Sequence, residues 1–150
     1  MKDSSGRTIA EELGVLVKET QAVLHQRMDE VLRPLGLSVP QYACLQALSD
    51  TPGITSSDLA RRAFVSRQSM NVLMQGLERR DLIRRSDEPG PRRERSTTLA
   101  PAAVVLLGQA RAAVAGVARA MTAPLGDSDA AALRGLLAAC RDALVDDRRD

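Results

Sequence analysis

Apolar residues recur every three or four positions along most of this chain, which is the spacing that lets an amphipathic helix bury one face. Thr8 and Ser38 each stand three residues before a Glu or Gln, and this capping-box pattern marks the start of a helix. Proline and glycine residues at 34–36 and 52–53 end the two helices that these caps begin. The pattern predicts a long first helix over residues 8–35 and a shorter second helix.

Two short helices joined by a tight turn follow in the pattern. Thr55 and Ser66 are suitable N-cap residues for them, and Met70 and Leu77 belong to an apolar stripe along the second. The residues on the other side of that second helix are mostly polar. Two short helices in this arrangement are typical of a helix-turn-helix motif, in which the second helix reads DNA.

A β-hairpin and two more helices complete the predicted elements. Residues 82–86 and 95–99 predict two strands around a turn rich in proline and glycine. Pro101 opens a long helix rich in Ala and Val, and Asp127 or Ser128 caps the last helix. The predicted fold class is therefore mainly α with a small β-hairpin wing, in the order ααααββαα.

Composition supports a helical core. Aromatic residues make up only 1% of the 150 residues and hydrophobic residues 44%, so the core must consist of Leu, Val, Ala and Met. These residues favour helices over an all-β sandwich. A chain of this length forms one compact domain, with or without dimerising extensions, and this excludes a large multidomain enzyme.

Charge is distributed unevenly along the chain. The net charge is only +2, but residues 61–95 contain ten arginines and five acidic residues, a local charge of +5. The remainder has 11 basic and 14 acidic residues, a charge of −3. A basic segment in an acidic remainder is typical of a nucleic-acid-binding protein, and the alternative is an ordinary solvated helix face.

The sequence offers no candidate catalytic or metal-binding set. It contains one histidine, no paired-carboxylate motif and no glycine-rich phosphate loop. Cys44 and Cys140 are far apart and lack the spacing of a disulfide framework or a zinc site, which fits a reducing cytoplasm. No stretch reaches 18 uncharged apolar residues, so no membrane partner is expected. We predict that the protein is not an enzyme and has no metal and no cofactor.

Several motifs carry a resemblance to a known family. They are Leu37–Tyr42, Thr55–Ala60, Ser66–Asn71, Leu77–Arg85 and Arg93. Over nearly its whole length, the chain resembles the MarR family of winged-helix transcriptional regulators. The resemblance implies a homodimer with intertwined terminal helices and two lobes that read a pseudo-palindrome. It places a helical dimerisation region at 8–35 and 101–146, and a winged helix-turn-helix DNA-binding lobe at 38–99.

The polar face of the predicted reading helix supplies most of the candidate DNA contacts. Gln68 and Asn71 suit adenine edges, Arg67 suits phosphate or guanine, and Val72 suits a thymine methyl group. Arg93 of the wing suits a narrow minor groove. The full set of candidates is Ser66, Arg67, Gln68, Ser69, Asn71, Val72 and Gln75 on the helix, with Arg92, Arg93 and Arg95 on the wing. A solvated helix face is the alternative.

Six other arginines of the basic segment have two possible roles, which the sequence leaves open. They either contact phosphates or form ion pairs with Asp58, Glu78 and Asp81. The six are Arg61, Arg62, Arg79, Arg80, Arg84 and Arg85.

His25 and Tyr42 are candidates for a ligand pocket, because His25 lies near where members of the family bind aromatic acids. The alternative is a partly exposed structural histidine. Cys44 is expected to pack in the interior, since no Lys, Arg or His within one helical turn lowers its pKa. The same packing role is expected for Cys140. A thiol switch at Cys44 is the alternative, because some family members sense oxidants through a thiol.

Together these features predict a sequence-specific transcriptional regulator that binds double-stranded DNA as a homodimer. Repression, and release by a small aromatic ligand, follow from the resemblance alone. Two alternatives stay open: a DNA-binding regulator that senses thiol oxidation, and a helical dimeric scaffold that does not read DNA.

Overall fold

The structure is a computed structural model that describes residues 6–63, 65–86 and 96–148. Its elements are α1 (Ile9–Leu32), α2 (Val39–Asp50), α3 (Ser56–Ala63), α4 (Arg67–Arg79), β1 (Ile83–Arg85), β2 (Thr97–Leu99), α5 (Pro101–Thr122) and α6 (Asp127–Asp147). A short 3₁₀ turn, Arg33–Leu35, follows α1. The predicted order ααααββαα is confirmed.

Side-chain caps begin the first four helices at the residues that the sequence predicts. The Thr8 hydroxyl accepts from Glu11 N at 3.2 Å, and the Ser38 hydroxyl accepts from Gln41 N at 3.2 Å. Both capping boxes are complete, because the Glu and Gln side chains accept from the cap backbone in return. Thr55 and Ser66 bind the backbone N–H groups three residues on in the same way.

The start of α6 differs from the prediction. Gly126, rather than Asp127 or Ser128, is the N-cap, with extended backbone at φ −74° and ψ 167°, and it makes no side-chain cap. The preceding turn causes this, since Leu125 N donates to Thr122 O at 2.8 Å and leaves Gly126 at the helix entrance. Asp127 and Asp129 fall inside the first turn, where their charges favour the positive end of the helix dipole.

The two strands pair antiparallel over a shorter length than predicted. Ile83 lies opposite Leu99, and Arg85 lies opposite Thr97. Backbone hydrogen bonds continue the ladder by one residue at each end, from Ser86 N to Ser96 O and from Ala100 N to Leu82 O. The predicted turn of the wing lies outside the described residues.

The chain divides into two compact units, of which the first ends at Ala115. The core of that unit contains buried residues from helices α1 to α5, from strand β1 and from Leu82, which precedes β1. Its buried residues are Leu32, Leu37, Cys44, Leu45, Leu48, Ile54, Leu59, Ala60, Met70, Met74, Leu77, Leu82, Ile83, Ala103, Leu107 and Ala110. Apolar aliphatic side chains thus fill this core, as the composition predicts.

The second unit begins at Gly116 and contains the end of α5 and all of α6. None of the residues of α6 is buried. Its large apolar side chains, Leu133, Leu136, Leu137, Leu144 and Val145, are exposed. This helix therefore presents an apolar surface that the single chain does not cover.

Helix α5 is also long and apolar enough, by length and composition alone, to cross a membrane, with a mean hydropathy of 1.5. Ala103, Leu107 and Ala110 of this helix pack into the core of the first unit. Arg111 follows directly and hydrogen-bonds to α2. These contacts are those of a helix that packs within a folded protein.

Candidate nucleic-acid interface

Helix α4 has one face fixed in the core and the opposite face open. Met70, Met74 and Leu77 are spaced by four and three residues and are 0% exposed. All seven helix candidates named from the sequence are exposed: Ser66, Arg67, Gln68, Ser69, Asn71, Val72 and Gln75. The burial of one stripe thus determines which side chains of α4 are free to meet a partner.

Four of these candidates share a narrow part of the helix surface. At about 100° per residue, Gln68, Asn71, Val72 and Gln75 fall within an arc of about 100°. Val72 is 62% exposed, which is unusual for a large apolar side chain among hydrogen-bonding residues. The arrangement presents amide groups and one apolar group together, which suits the mixed pattern of base edges in a major groove.

The N-terminal end of α4 is occupied by two serines that bind each other. The Ser66 hydroxyl accepts from Ser69 N at 3.0 Å and donates to the Ser69 hydroxyl oxygen at 2.9 Å. The hydroxyl of Ser66 is therefore engaged in capping the helix. Ser69 keeps its own hydroxyl proton available at the positive end of the helix, where an anion is favoured.

The three wing candidates cannot be placed in the same way. Arg92, Arg93 and Arg95 lie outside the described residues. The strands that lead to them end at Arg85 and begin again at Thr97.

Four of the six undecided arginines make contacts within the protein. Arg61 pairs with Asp58 on the same helix, and Arg62 Nη1 donates to Thr51 Oγ1 at 2.9 Å. Arg80 Nη1 donates to the carbonyl oxygen of Gly36 at 2.6 Å. The fourth, Arg85, has its Nε at 2.6 Å from a Glu78 carboxylate oxygen.

The Gly36 contact depends on a residue without a side chain. Gly36 has a φ of +71°, and a Cβ atom added there would lie 3.1 Å from Arg80 Nη2. Both the left-handed backbone and the close approach therefore favour glycine. Arg80 in this way ties the end of α4 to the turn that follows α1.

The Arg85 contact is less complete. Its Nε and a Glu78 carboxylate oxygen form an ion pair by distance, but Nε and Nη2 have no hydrogen-bond partner among residues 6–63, 65–86 and 96–148. Thr97, directly across the ladder, is 0% exposed, and its hydroxyl has no partner in the described part of the chain either. Polar atoms of both strands are thus buried close to the core.

Arg79 and Arg84 differ from the other four. Both are exposed, and neither has a hydrogen bond or an ion pair with any residue in the part of the chain that the structure describes. The acidic residue beside them, Asp81, is in a left-handed turn with φ +56° that ends α4. The structure therefore separates arginines that hold the fold from arginines whose charge faces solvent.

Cys44 is an interior residue, as predicted, and is 1% exposed. Burial raises the pKa of the Cys44 thiol to about 12, and the positive charge of Arg85 opposes this rise only in part. The sequence shows no cation within one helical turn of Cys44, but β1 brings Arg85 near it in space. Desolvation dominates, so the thiol is protonated and inert at neutral pH. Cys140 does not pack within the single chain: it is exposed on α6, which buries none of its residues there.

The two pocket candidates have different environments. His25 is exposed on α1, while Tyr42 is half-buried. Burial raises the pKa of the Tyr42 hydroxyl, Arg111 lowers it and Asp50 raises it. The charged groups that act on Tyr42 are therefore Arg111 and Asp50.

Sequence reasoning missed Arg111. Its Nε donates to Gln46 Oε1 at 2.7 Å, and its Nη2 donates to Ser49 Oγ at 3.1 Å and lies 3.6 Å from Asp50 Oδ1. These partners are in the C-terminal half of α2, which has no basic residue of its own in its last turn. A signal was present, since Arg111 is the one charged residue among the first 18 residues of α5. Among the described residues, no group of three or more His, Cys, Asp or Glu is placed to hold a metal ion.

Comparisons with known proteins agree on one family. A family model described as the MarR family matches residues 35–94. The HTH-type transcriptional repressor Rv2887 of Mycobacterium tuberculosis is 37% identical over 116 residues, which cover 75% of this chain and 84% of that protein. Its structure in complex with salicylic acid matches with a TM-score of 0.70 at 31% identity, over 85% of this chain and 95% of that one. Its complex with DNA matches with a TM-score of 0.71 at 30% identity, over 85% and 96%.

The environment of Cys44 predicts its reactivity. Because the thiol is buried and its pKa is raised to about 12, we expect iodoacetamide at neutral pH to leave Cys44 unmodified in the folded protein. Addition of urea should expose the thiol, lower its pKa and allow alkylation. Peptide mass spectrometry with and without urea measures this, and a Cys44→Ala variant identifies the modified peptide. Rapid alkylation of Cys44 without urea would instead favour the thiol-switch alternative.

Proposed function

This chain belongs to the MarR family and is a DNA-binding transcriptional repressor, and we propose that it acts as a homodimer released from its operator by a small aromatic ligand. The observation that carries the proposal is α4, with a fully buried stripe on one side and an exposed face of amides on the other. The scaffold alternative gives this exposed face no role. We propose the cytoplasm as its location, since a regulator of this family must reach DNA.

We propose that each exposed residue of α4 has a separate task on DNA. Gln68 and Asn71 bind adenine edges, and Val72 packs against a thymine methyl group. Phosphate contacts come from the N-terminal end of the helix and fix its position in the groove. The residues that we propose for these phosphate contacts are Ser66, Arg67 and Ser69. Gln75 lies at the far end of the reading face.

We propose that the wing adds a minor-groove contact. Arg93 is the candidate to enter the groove, where negative potential is highest when the groove is narrow. If the strand pattern of the sequence continues through the wing, Arg95 would share the side of Arg93 and Arg92 would face the other way, so we propose a phosphate contact for Arg92.

The reading role of α4 predicts a loss of specificity. Gln68→Ala or Asn71→Ala removes base contacts but keeps phosphate contacts, so binding to the operator should weaken by about 1–3 kcal/mol while binding to random DNA changes little. A mobility-shift titration, on an operator located by footprinting DNA beside the gene, measures both affinities.

The control is Gln109→Ala, which removes an exposed glutamine from α5 instead of α4. Because α5 belongs to the proposed dimerisation region, analytical ultracentrifugation checks that this variant has the molecular mass of the wild type. It should leave both affinities unchanged. Equal losses on operator and random DNA in the α4 variants would mean that these side chains contact the DNA backbone and do not read bases.

We propose that the terminal helices form the homodimer, with 8–35 and 101–146 as the dimerisation region and 38–99 as the DNA-binding lobe. Exposed large apolar residues support this: among the described residues, all but Val72 lie on α1, α5 or α6. On α6, residues Leu133, Leu137, Cys140 and Leu144 form one stripe at helical spacing. A second copy is a suitable cover, since two equivalent lobes match a pseudo-palindromic site.

The dimer proposal predicts that a charge in the α6 stripe blocks association. Leu137→Glu should yield monomers at concentrations where the wild type is dimeric, because an unpaired carboxylate cannot be buried without a large cost. Analytical ultracentrifugation measures the molecular mass. The control Ala131→Glu places the same charge on the opposite side of α6 and should leave the dimer intact. A dimer of unchanged affinity in Leu137→Glu would contradict the assignment.

We propose that the releasing ligand is an aromatic carboxylate, as the salicylic acid complex of Rv2887 suggests. Such a ligand needs a cation for its carboxylate and a flat or apolar wall for its ring. Arg111 and Tyr42 supply these two groups, with His25 a further candidate on α1. A ligand carboxylate bound to Arg111 competes with Gln46 and Ser49 of α2 for its guanidinium. Ligand binding can therefore change the contact of α5 with α2, which belongs to the proposed DNA-binding lobe.

Linkage gives the ligand proposal a quantitative test. A hundredfold weakening of operator binding requires about 2.7 kcal/mol of coupling, and operator must weaken ligand binding by the same factor. Calorimetric titration of salicylate with and without operator measures this coupling. Arg111→Gln should weaken salicylate binding, while Arg119→Gln on the same helix should not. Equal salicylate affinity with and without operator would exclude release by this ligand.

A further inference from the structure

Arg79 is the last residue of α4 and lies on the face that carries the proposed base contacts. It follows Gln75 by four residues and Val72 by seven, which places it within about 40° of both around the helix axis. Its side chain is exposed and has no hydrogen bond or ion pair within the described ranges. The reading face therefore ends in a positive charge.

A glycine next to Arg79 leaves room for that charge. A Cβ added to Gly76 would lie 3.9 Å from Arg79 Nη2, so the guanidinium extends over this glycine. Side chains on a helix lean toward its N-terminus, and the position over Gly76 follows that direction. The charge of Arg79 is thus directed back along α4, toward the residues that face the groove.

We infer that Arg79 is a further DNA-binding residue that contacts a backbone phosphate at the edge of the groove read by α4. The inference rests on the proposed function. A recognition helix contacts base edges mainly with its N-terminal residues, and Gln68 to Gln75 covers about 10 Å of α4 from that end. The backbone of Arg79 lies about 6 Å beyond that of Gln75. Its guanidinium, over Gly76, is therefore at the C-terminal end of the reading face, where a backbone phosphate is a suitable partner.

The neighbouring arginine provides a matched control. Arg80 carries the same charge one residue later, but its Nη1 is engaged by the Gly36 carbonyl oxygen at 2.6 Å. Arg80 therefore acts as a structural contact between α4 and the turn after α1. Removal of Arg80 should affect folding, whereas removal of Arg79 should affect DNA binding.

The test compares Arg79→Gln, Arg79→Lys and Arg80→Gln in the full-length protein. The probe is a random-sequence duplex, and an operator selected from a DNA pool is titrated in parallel over a series of salt concentrations. In Arg79→Gln, the slope of log affinity against log salt should fall by about 0.9 per lobe, with equal fold losses on both DNAs. Arg79→Lys should keep the wild-type slope, because it keeps the charge.

Urea unfolding separates the structural role from the binding role. Arg80→Gln should keep the wild-type salt slope but unfold at lower urea, and Arg79→Gln should unfold as the wild type does. An unchanged slope in Arg79→Gln overturns the inference, and a loss confined to the operator overturns the phosphate assignment in favour of a base contact. A wild-type protein that shows no salt-dependent DNA binding at all overturns the proposed function itself.

Discussion

The burial of one stripe on α4 determines which side chains make up the proposed DNA-facing surface of this helix. Met70, Met74 and Leu77 have no exposed area, so the helix cannot rotate about its axis without uncovering them. Exposure of such side chains costs about 1.5–3 kcal/mol each, which far exceeds any gain available to the polar residues opposite. The amide groups of Gln68 and Asn71 are therefore held outward by packing on the other side of the helix.

Intramolecular contacts then decide how much of the local positive charge is available to a partner. The basic segment has a net charge of +5, but Arg61, Arg62, Arg80 and Arg85 are engaged by groups of the lobe itself. The exposed ion pair between Arg61 and Asp58 adds little to stability, because solvent screens it. The contacts of Arg62, Arg80 and Arg85 fix orientation, since each holds an arginine side chain against a neighbouring segment. A count of arginines therefore overstates the positive charge that faces DNA.

The terminal helices differ from the basic segment, because they expose apolar side chains. Helix α6 buries none of its residues, and α1 exposes large apolar residues along its N-terminal half. An apolar surface of this extent is unusual on a monomer and is typical of an association surface. Helix α5 joins the two parts of the chain, since it contributes Leu107 and Arg111 to the first unit and continues to Thr122. Helix α5 thus contributes residues to both units.

The sequence by itself determined the helix starts at Thr8, Ser38, Thr55 and Ser66, the buried stripe of α4 and the element order, because these depend on residues three to eight positions apart. It failed at Gly126, where a turn shifts the cap by one residue. Contacts between distant residues needed the tertiary structure: Arg80 meets Gly36 across 44 positions, and Arg111 meets Gln46 across 65. The environment of Cys44 also needed the tertiary structure, because Arg85, whose charge opposes the rise in the pKa of Cys44, comes from β1 and not from α2. No local pattern encodes such contacts, because they arise only when packing brings separate helices and strands together.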